Sequence, residues 1–129
     1  MLALSACIFL SNAAHAWIKG YVAYGAAFCT LAVTSVLYHT SDYLDKGLYW
    51  IDQLALYNVF LIGLLYCARI PMIALAFAVL SISIVLLLFW GGYWLDMFCF
   101  HLDPETATLC HGIMHFVGAA GHHCILLGL

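Results

Sequence analysis

The sequence predicts an all-α fold: a polytopic transmembrane helix bundle of about five spans, forming a single domain over residues 1–129. Two observations carry this. The chain is 67% hydrophobic and 7% charged, against roughly 25% charged in an ordinary soluble domain. So few charges cannot cover a globular surface in water, whereas a bilayer solvates an apolar one. Second, apolar stretches near 20 residues, the length that crosses a hydrocarbon core, alternate with short polar, turn-forming segments. The net charge of −3, with 3 basic residues, excludes nucleic acid as a partner, because a phosphate backbone needs many cations to neutralise it. There is no internal repeat or low-complexity segment.

Residues 2–17 form a short apolar segment ending at Lys19 and Gly20. Ala14-His15-Ala16 resembles a signal-peptidase site, but no Lys or Arg precedes the apolar stretch, as a signal peptide requires. A short first membrane helix, lacking its natural start, is the expectation. Residues 21–40 form the second span, closing on Ser35-Val36-Leu37-Tyr38-His39. A polar loop, Ser41-Asp42-Tyr43-Leu44-Asp45-Lys46-Gly47, follows. Residues 48–68 are the third span, with Asp52 one turn inside. Pro71 opens the next helix, where its missing N–H matters little. Residues 72–90 are the fourth and most apolar span. Gly91-Gly92 weakens the helix, and residues 93–100 read as an amphipathic extension carrying Asp96. The loop His101-Leu102-Asp103-Pro104-Glu105 leads to the last helix, capped by Thr106 or Thr108 and running to about Leu127.

That last helix carries Cys110-His111-Gly112-Ile113-Met114-His115. His111 and His115, four residues apart, share one helix face. Two readings stand for this pair. They can supply two ligands to one metal ion, or simply hydrogen-bond to neighbouring helices. A polar pair inside lipid is expensive and points to function. Chain topology adds to it. With spans alternating in direction, Ser35 and His39 end span two on one side, X. Asp52 begins span three on X, and His111 and His115 begin the last span on X. Five polar candidates from three helices thus fall at one depth, where unrelated core histidines would scatter over both ends.

Three imidazoles form a zinc donor set that leaves a fourth position open for water. Zinc lowers the pKa of that water to about 7, which makes it a nucleophile at neutral pH. Asp52 could bind the metal or accept the water's proton. Ser35 could hydrogen-bond the water, a developing oxyanion or Asp52. Asp42 and Asp45 are nearer His39 but lie in the loop, so Asp52 is favoured. A site in a bilayer favours a lipid amide or ester as electrophile. Lys19 and Arg69 lie on the opposite side, Y, against Lys46 with four acidic residues on X. The positive-inside rule then makes Y cytoplasmic. The site faces the non-cytoplasmic side and the C-terminus the cytoplasm.

The ordered set Ser35-x3-His39, then Asp52, then His111-x3-His115 resembles the signature of the CREST superfamily. That group includes alkaline ceramidases, progestin and adipoQ receptors, haemolysin-III-like proteins and GPI-processing lipases. Leu10-Ser11-Asn12 and Tyr38-His39-Thr40-Ser41-Asp42 resemble the GPI-processing lipase branch. Tyr93-Trp94-Leu95-Asp96-x2-Cys99 ahead of His111 looks more like the ceramidases. The resemblance implies zinc held by His39, His111 and His115, with Asp52 and Ser35 around the zinc-bound water. It also implies a membrane lipid substrate, ceramide-like or another acyl lipid. The family bundle usually has seven helices, so this chain would be a reduced version, and a homo-oligomer could supply what is missing.

Three functions are compatible with these residues: a zinc-dependent membrane hydrolase, a receptor-like or structural zinc module without turnover, and a bis-histidine haem bundle pairing His39 with His111. Elsewhere the residues read more plainly. His15 is interfacial, His101 a loop residue, and His122 and His123 lie too far beyond His115 to share its ion. Trp17, Trp50, Trp90 and Trp94 sit near span ends as interfacial anchors. Gly112, Gly118 and Gly121 permit close helix packing. Cys99 and Cys110 flank one loop and could pair in an oxidising compartment. The remaining four cysteines read as small hydrophobes in apolar stretches, with Cys7 near enough to the X end to approach the site.

Overall fold

The computed structural model describes residues 1–41 and 45–129. Among these, every regular element is helical. Helix α1 is Leu2–Ala6 and α2 is Phe9–Ile18; α3 is Val22–Thr40 and α4 is Lys46–Cys67. Helix α5, Met72–Leu86, continues through a π-helical turn, Leu87–Gly91, into α6, Gly92–Leu95. A 3₁₀ turn, Phe98–Phe100, precedes α7, Pro104–Gly128. Three helical stretches are long and apolar enough to cross a membrane: Val22–Thr40, Lys46–Cys67 and Met72–Leu95. Leu2–Ile18 is apolar but shorter, and α7, at 25 residues, is diluted by its four histidines.

The first helical stretch is broken at Cys7 and Ile8. Ser5 Oγ and Ser11 Oγ donate to the carbonyls of Leu2 and Ile8, at 2.8 and 2.6 Å. Such back-bonding competes with the helical ladder and bends helices. Asp45, a loop residue by sequence, is the N-cap of α4: its carboxylate accepts from Gly47 N at 2.8 Å and Leu48 N at 3.1 Å. The helix therefore starts at Lys46, two residues ahead of the expected Leu48. At α7 the cap is Asp103, not Thr106 or Thr108. Its carboxylate accepts from Thr106 N at 2.9 Å, with Pro104 following in the first turn, the position where a proline fits a helix start. Hydrogen bonds from the Thr106 hydroxyl and backbone hold the Asp103 carboxyl below its ordinary range. Gly91-Gly92 does not end the fifth helix, because the π-helical turn carries it through to Leu95. Asp96 ends it instead, in the left-handed conformation at φ 51°.

The central helices are α3 and α7. Helix α3 packs between α4 and α2, while α7 packs on α5, α1 and α2. Thr34–Asp52 makes α3 and α4 antiparallel. Ser5–His115, Asn12–Ala119 and Ser11–His123 make the first span and α7 parallel. These directions match spans that alternate along the chain. The core is Phe9, Tyr24, Phe28, Leu31, Val59 and Leu126 with small alanines between. The role expected of three glycines falls to one. A Cβ on Gly121 would lie 2.6 Å from Ser81 Cβ on α5, whereas on Gly118 and Gly112 it would meet ordinary contacts at 3.8 and 3.9 Å. Helices α4 and α5 stand on opposite flanks, and a cavity lined by Leu56, Phe60, Ile82 and Val85 runs between them. All four tryptophans are exposed.

Candidate metal centre

Three helices deliver the site. His39 lies on the last turn of α3, and His111 and His115 lie one turn apart on α7. One ligand atom from each histidine lies within 4.8 Å of the other two, so the group could hold a metal ion. The rings meet edge to face: His39–His111 centroids are 5.0 Å apart at 87°, and His111–His115 are 4.9 Å apart at 76°. His39 and His115 stand 5.5 Å apart. Donor atoms thus converge from an antiparallel helix pair, as the topology requires.

Ser35 and Asp52 line the same cavity as the three histidines, a space of about 570 Å³. Both are buried. The ligand group holds the three imidazoles and not Asp52, which lines the same cavity. Thr34 Oγ1 donates to Asp52 Oδ1 at 3.1 Å. That hydrogen bond was open to Ser35 by sequence; Thr34 makes it because α3 turns its Thr34 edge toward α4. Asp45 caps α4, and Asp42 lies outside the described residues.

Ser5 was missed by sequence reasoning. Its Oγ donates to Leu2 O at 2.8 Å and stands 2.8 Å from His115 Nδ1. When its one hydrogen stays on Leu2 O, the hydroxyl accepts from Nδ1–H. That arrangement gives His115 the tautomer whose Nε2 keeps its lone pair. Such an outer partner sets the ring orientation and tautomer of a metal-binding histidine. Phe9 braces the same ring edge-on, with centroids 5.4 Å apart. Cys7 is exposed and does not line the cavity.

The remaining walls are apolar: Leu31, Leu56, Phe89, Trp90 and Phe100 among them. Phe100 is held by edge contacts to Phe89 and Tyr93, at 5.3 and 5.4 Å, and brings the loop before α7 over the cavity. Cys99 and Cys110 are free thiols, against the pairing open to them by sequence. Burial pushes the Cys99 thiol up to about 12, so it stays protonated and weakly nucleophilic.

Elsewhere the histidines have other partners. His101 Nδ1 accepts from Asp103 N at 3.0 Å in the loop. His122 bonds to the buried Tyr24 hydroxyl. His15, expected at the interface, pairs with His123. No family model, curated protein or solved structure matches this chain.

Proposed function

We propose that this protein is a membrane-embedded, zinc-dependent hydrolase of a lipid amide or ester bond, ceramidase-like in chemistry and a reduced, five-span relative of the CREST bundles. One observation carries the reading. His39, His111, His115, Asp52 and Ser35, drawn from three helices, line a single cavity, with the three imidazoles gathered at one point. In this reading Lys19 and Arg69 mark the cytoplasmic side, the site opens toward the other face, and the C-terminus is cytoplasmic.

His39, His111 and His115 would hold the ion, and the His115 tautomer set by Ser5 suits that role. Zinc, when bound, supplies Lewis acidity and lowers the pKa of a water to about 7. Asp52, oriented by Thr34, takes a proton from water in the cavity and returns it to the leaving amine or alcohol. Ser35 donates to the oxygen on which negative charge develops. The apolar walls exclude bulk water and receive hydrocarbon.

A three-histidine set favours a catalytic site over a structural one, because structural zinc sites are closed by four protein ligands whereas catalytic sites keep a position open. It also disfavours haem, since a third imidazole within 4.8 Å of the pair would occupy the space of the porphyrin. The test uses purified protein, assayed for metal and for hydrolysis of short-chain ceramide and lysolipid. The expected result is colourless protein with one equivalent of zinc. His115→Ala abolishes turnover, and Asp52→Ala lowers it by about 10²–10⁴-fold, the usual share of a general acid–base. Full zinc occupancy with no turnover on any acyl lipid defeats the enzyme reading, and a Soret band defeats zinc.

A further inference from the structure

A second polar chain lies further along the seam of α2 and α7, away from the histidine cluster. Ser11 Oγ stands 3.0 Å from His123 Nε2. His123 Nδ1 stands 2.8 Å from His15 Nδ1. The two imidazoles stack with centroids 5.1 Å apart and planes at 26°. Ser11 is exposed, and both histidines are half-buried. Between this chain and the metal centre, Asn12 Nδ2 donates to Ala119 O at 2.9 Å from a fully buried position, fixing the register of α2 against α7.

The order of atoms matters. A base that offers Nε2 to a hydroxyl and Nδ1 to an orienting partner is the arrangement that activates a serine nucleophile. Here a second imidazole stands where an acid stands in the familiar triad. We propose that Ser11 is a second, metal-independent nucleophile, with His123 as its general base and His15 as the orienting residue, and that it accepts acyl groups from esters presented by the bilayer. A tie between helices requires only one such hydrogen bond. This chain has two in series, ending on an exposed hydroxyl.

Two proton arrangements share these heavy-atom positions. At rest the Ser11 hydroxyl donates to Ile8 O at 2.6 Å. His123 Nε2–H then donates to Ser11, and His15 Nδ1–H donates to His123 Nδ1. In the reactive arrangement His123 carries its hydrogen on Nδ1 and donates to His15 Nδ1, which leaves Nε2 to accept from Ser11. The hydroxyl turns from Ile8 O to His123 without displacing either ring. On attack, the Oγ–acyl bond forms and the ester C–O bond breaks. The serine proton passes to His123 Nε2 and from there to the departing alkoxide. Water, deprotonated by the same nitrogen, then releases the acid and restores the hydroxyl.

The test treats the full chain in detergent with a long-chain alkyl fluorophosphonate. In that reaction Oγ–P forms, P–F breaks, and fluoride leaves with the serine proton. The expected result is a single adduct mapped to Ser11 by mass spectrometry, formed equally fast with or without a zinc chelator. Its rate falls by about 10²-fold or more in His123→Gln, as expected for loss of a general base, and by less in His15→Gln. Far-UV circular dichroism verifies that both variants fold, and the adduct map on the unaltered chain needs no variant. An unlabelled protein, an adduct elsewhere, or wild-type labelling by folded His123→Gln overturns the proposal. Because the labelling is insensitive to the chelator, its failure leaves the zinc reading intact, and the reverse also holds.

Discussion

In the proposed zinc site, replacing Ser5 with alanine is expected to weaken metal binding without removing a ligand. Ser5 Oγ lies 2.8 Å from His115 Nδ1 and 2.8 Å from Leu2 O, and with its hydrogen on Leu2 O it accepts from the ring. Without it, the Nδ1–H of a buried imidazole loses its acceptor, an arrangement that costs about 1–3 kcal/mol. The metal-free ring relieves this by turning or by moving its hydrogen to Nε2. Zinc binding must then reverse that change. Loss of an outer partner typically weakens a metal site about 10–100-fold, which is about 1.4–2.7 kcal/mol. The assay is competition for zinc against a chelator of known affinity at fixed pH, with helicity verified by circular dichroism. Ser5→Thr keeps the hydroxyl and should bind near the wild-type level. His115→Ala, which deletes a ligand, should bind more weakly than Ser5→Ala. Wild-type affinity in Ser5→Ala, or equal loss in Ser5→Thr, would refute the tautomer argument.

Other consequences follow from the packing and caps. Gly121→Ala places a Cβ at 2.6 Å from Ser81 Cβ, so α5 and α7 must separate; overpacking of this kind costs about 1–3 kcal/mol and should lower the thermal midpoint in detergent. Gly118→Ala meets only Val85 Cγ2 at 3.8 Å and should be neutral or stabilising, since alanine is the better helix former; equal midpoints for the two variants would count against the close approach. Asp103 has a depressed pKa in the folded state, so its stabilisation is present above the unfolded value of about 3.9 and fades as pH falls through the folded value. The stability difference between wild type and Asp103→Ala should therefore be larger at pH 7 than near pH 3, and a difference that grows on acidification would contradict the cap.

Much of the architecture was legible because long apolar runs mark the helices and polar breaks between them mark the turns. The five elements expected near residues 2–17, 21–40, 48–68, 72–90 and 106–127 correspond to the helical stretches observed. Boundaries shifted where a side chain did backbone work. Asp45 and Asp103 read as loop residues until their carboxylates were found on helix N–H groups. The break after Ala6 was invisible because serine back-bonding depends on rotamers. The alternating direction of helices alone placed His39, Asp52 and His115 at one depth.

By itself the sequence determined the all-helical class, the five helical stretches, and the common depth of His39, His111 and His115, whereas three of the five expected spans are long and apolar enough to cross a bilayer. These follow from composition, period and chain direction, which are properties of a line. The tertiary structure decided what depends on rotation about each helix axis. Thr34 rather than Ser35 holds Asp52, Ser5 rather than Cys7 meets His115, and His15 meets His123 across the α2–α7 seam. A residue's depth can be counted along the chain, but the neighbour it faces is set by how the helices turn as they pack.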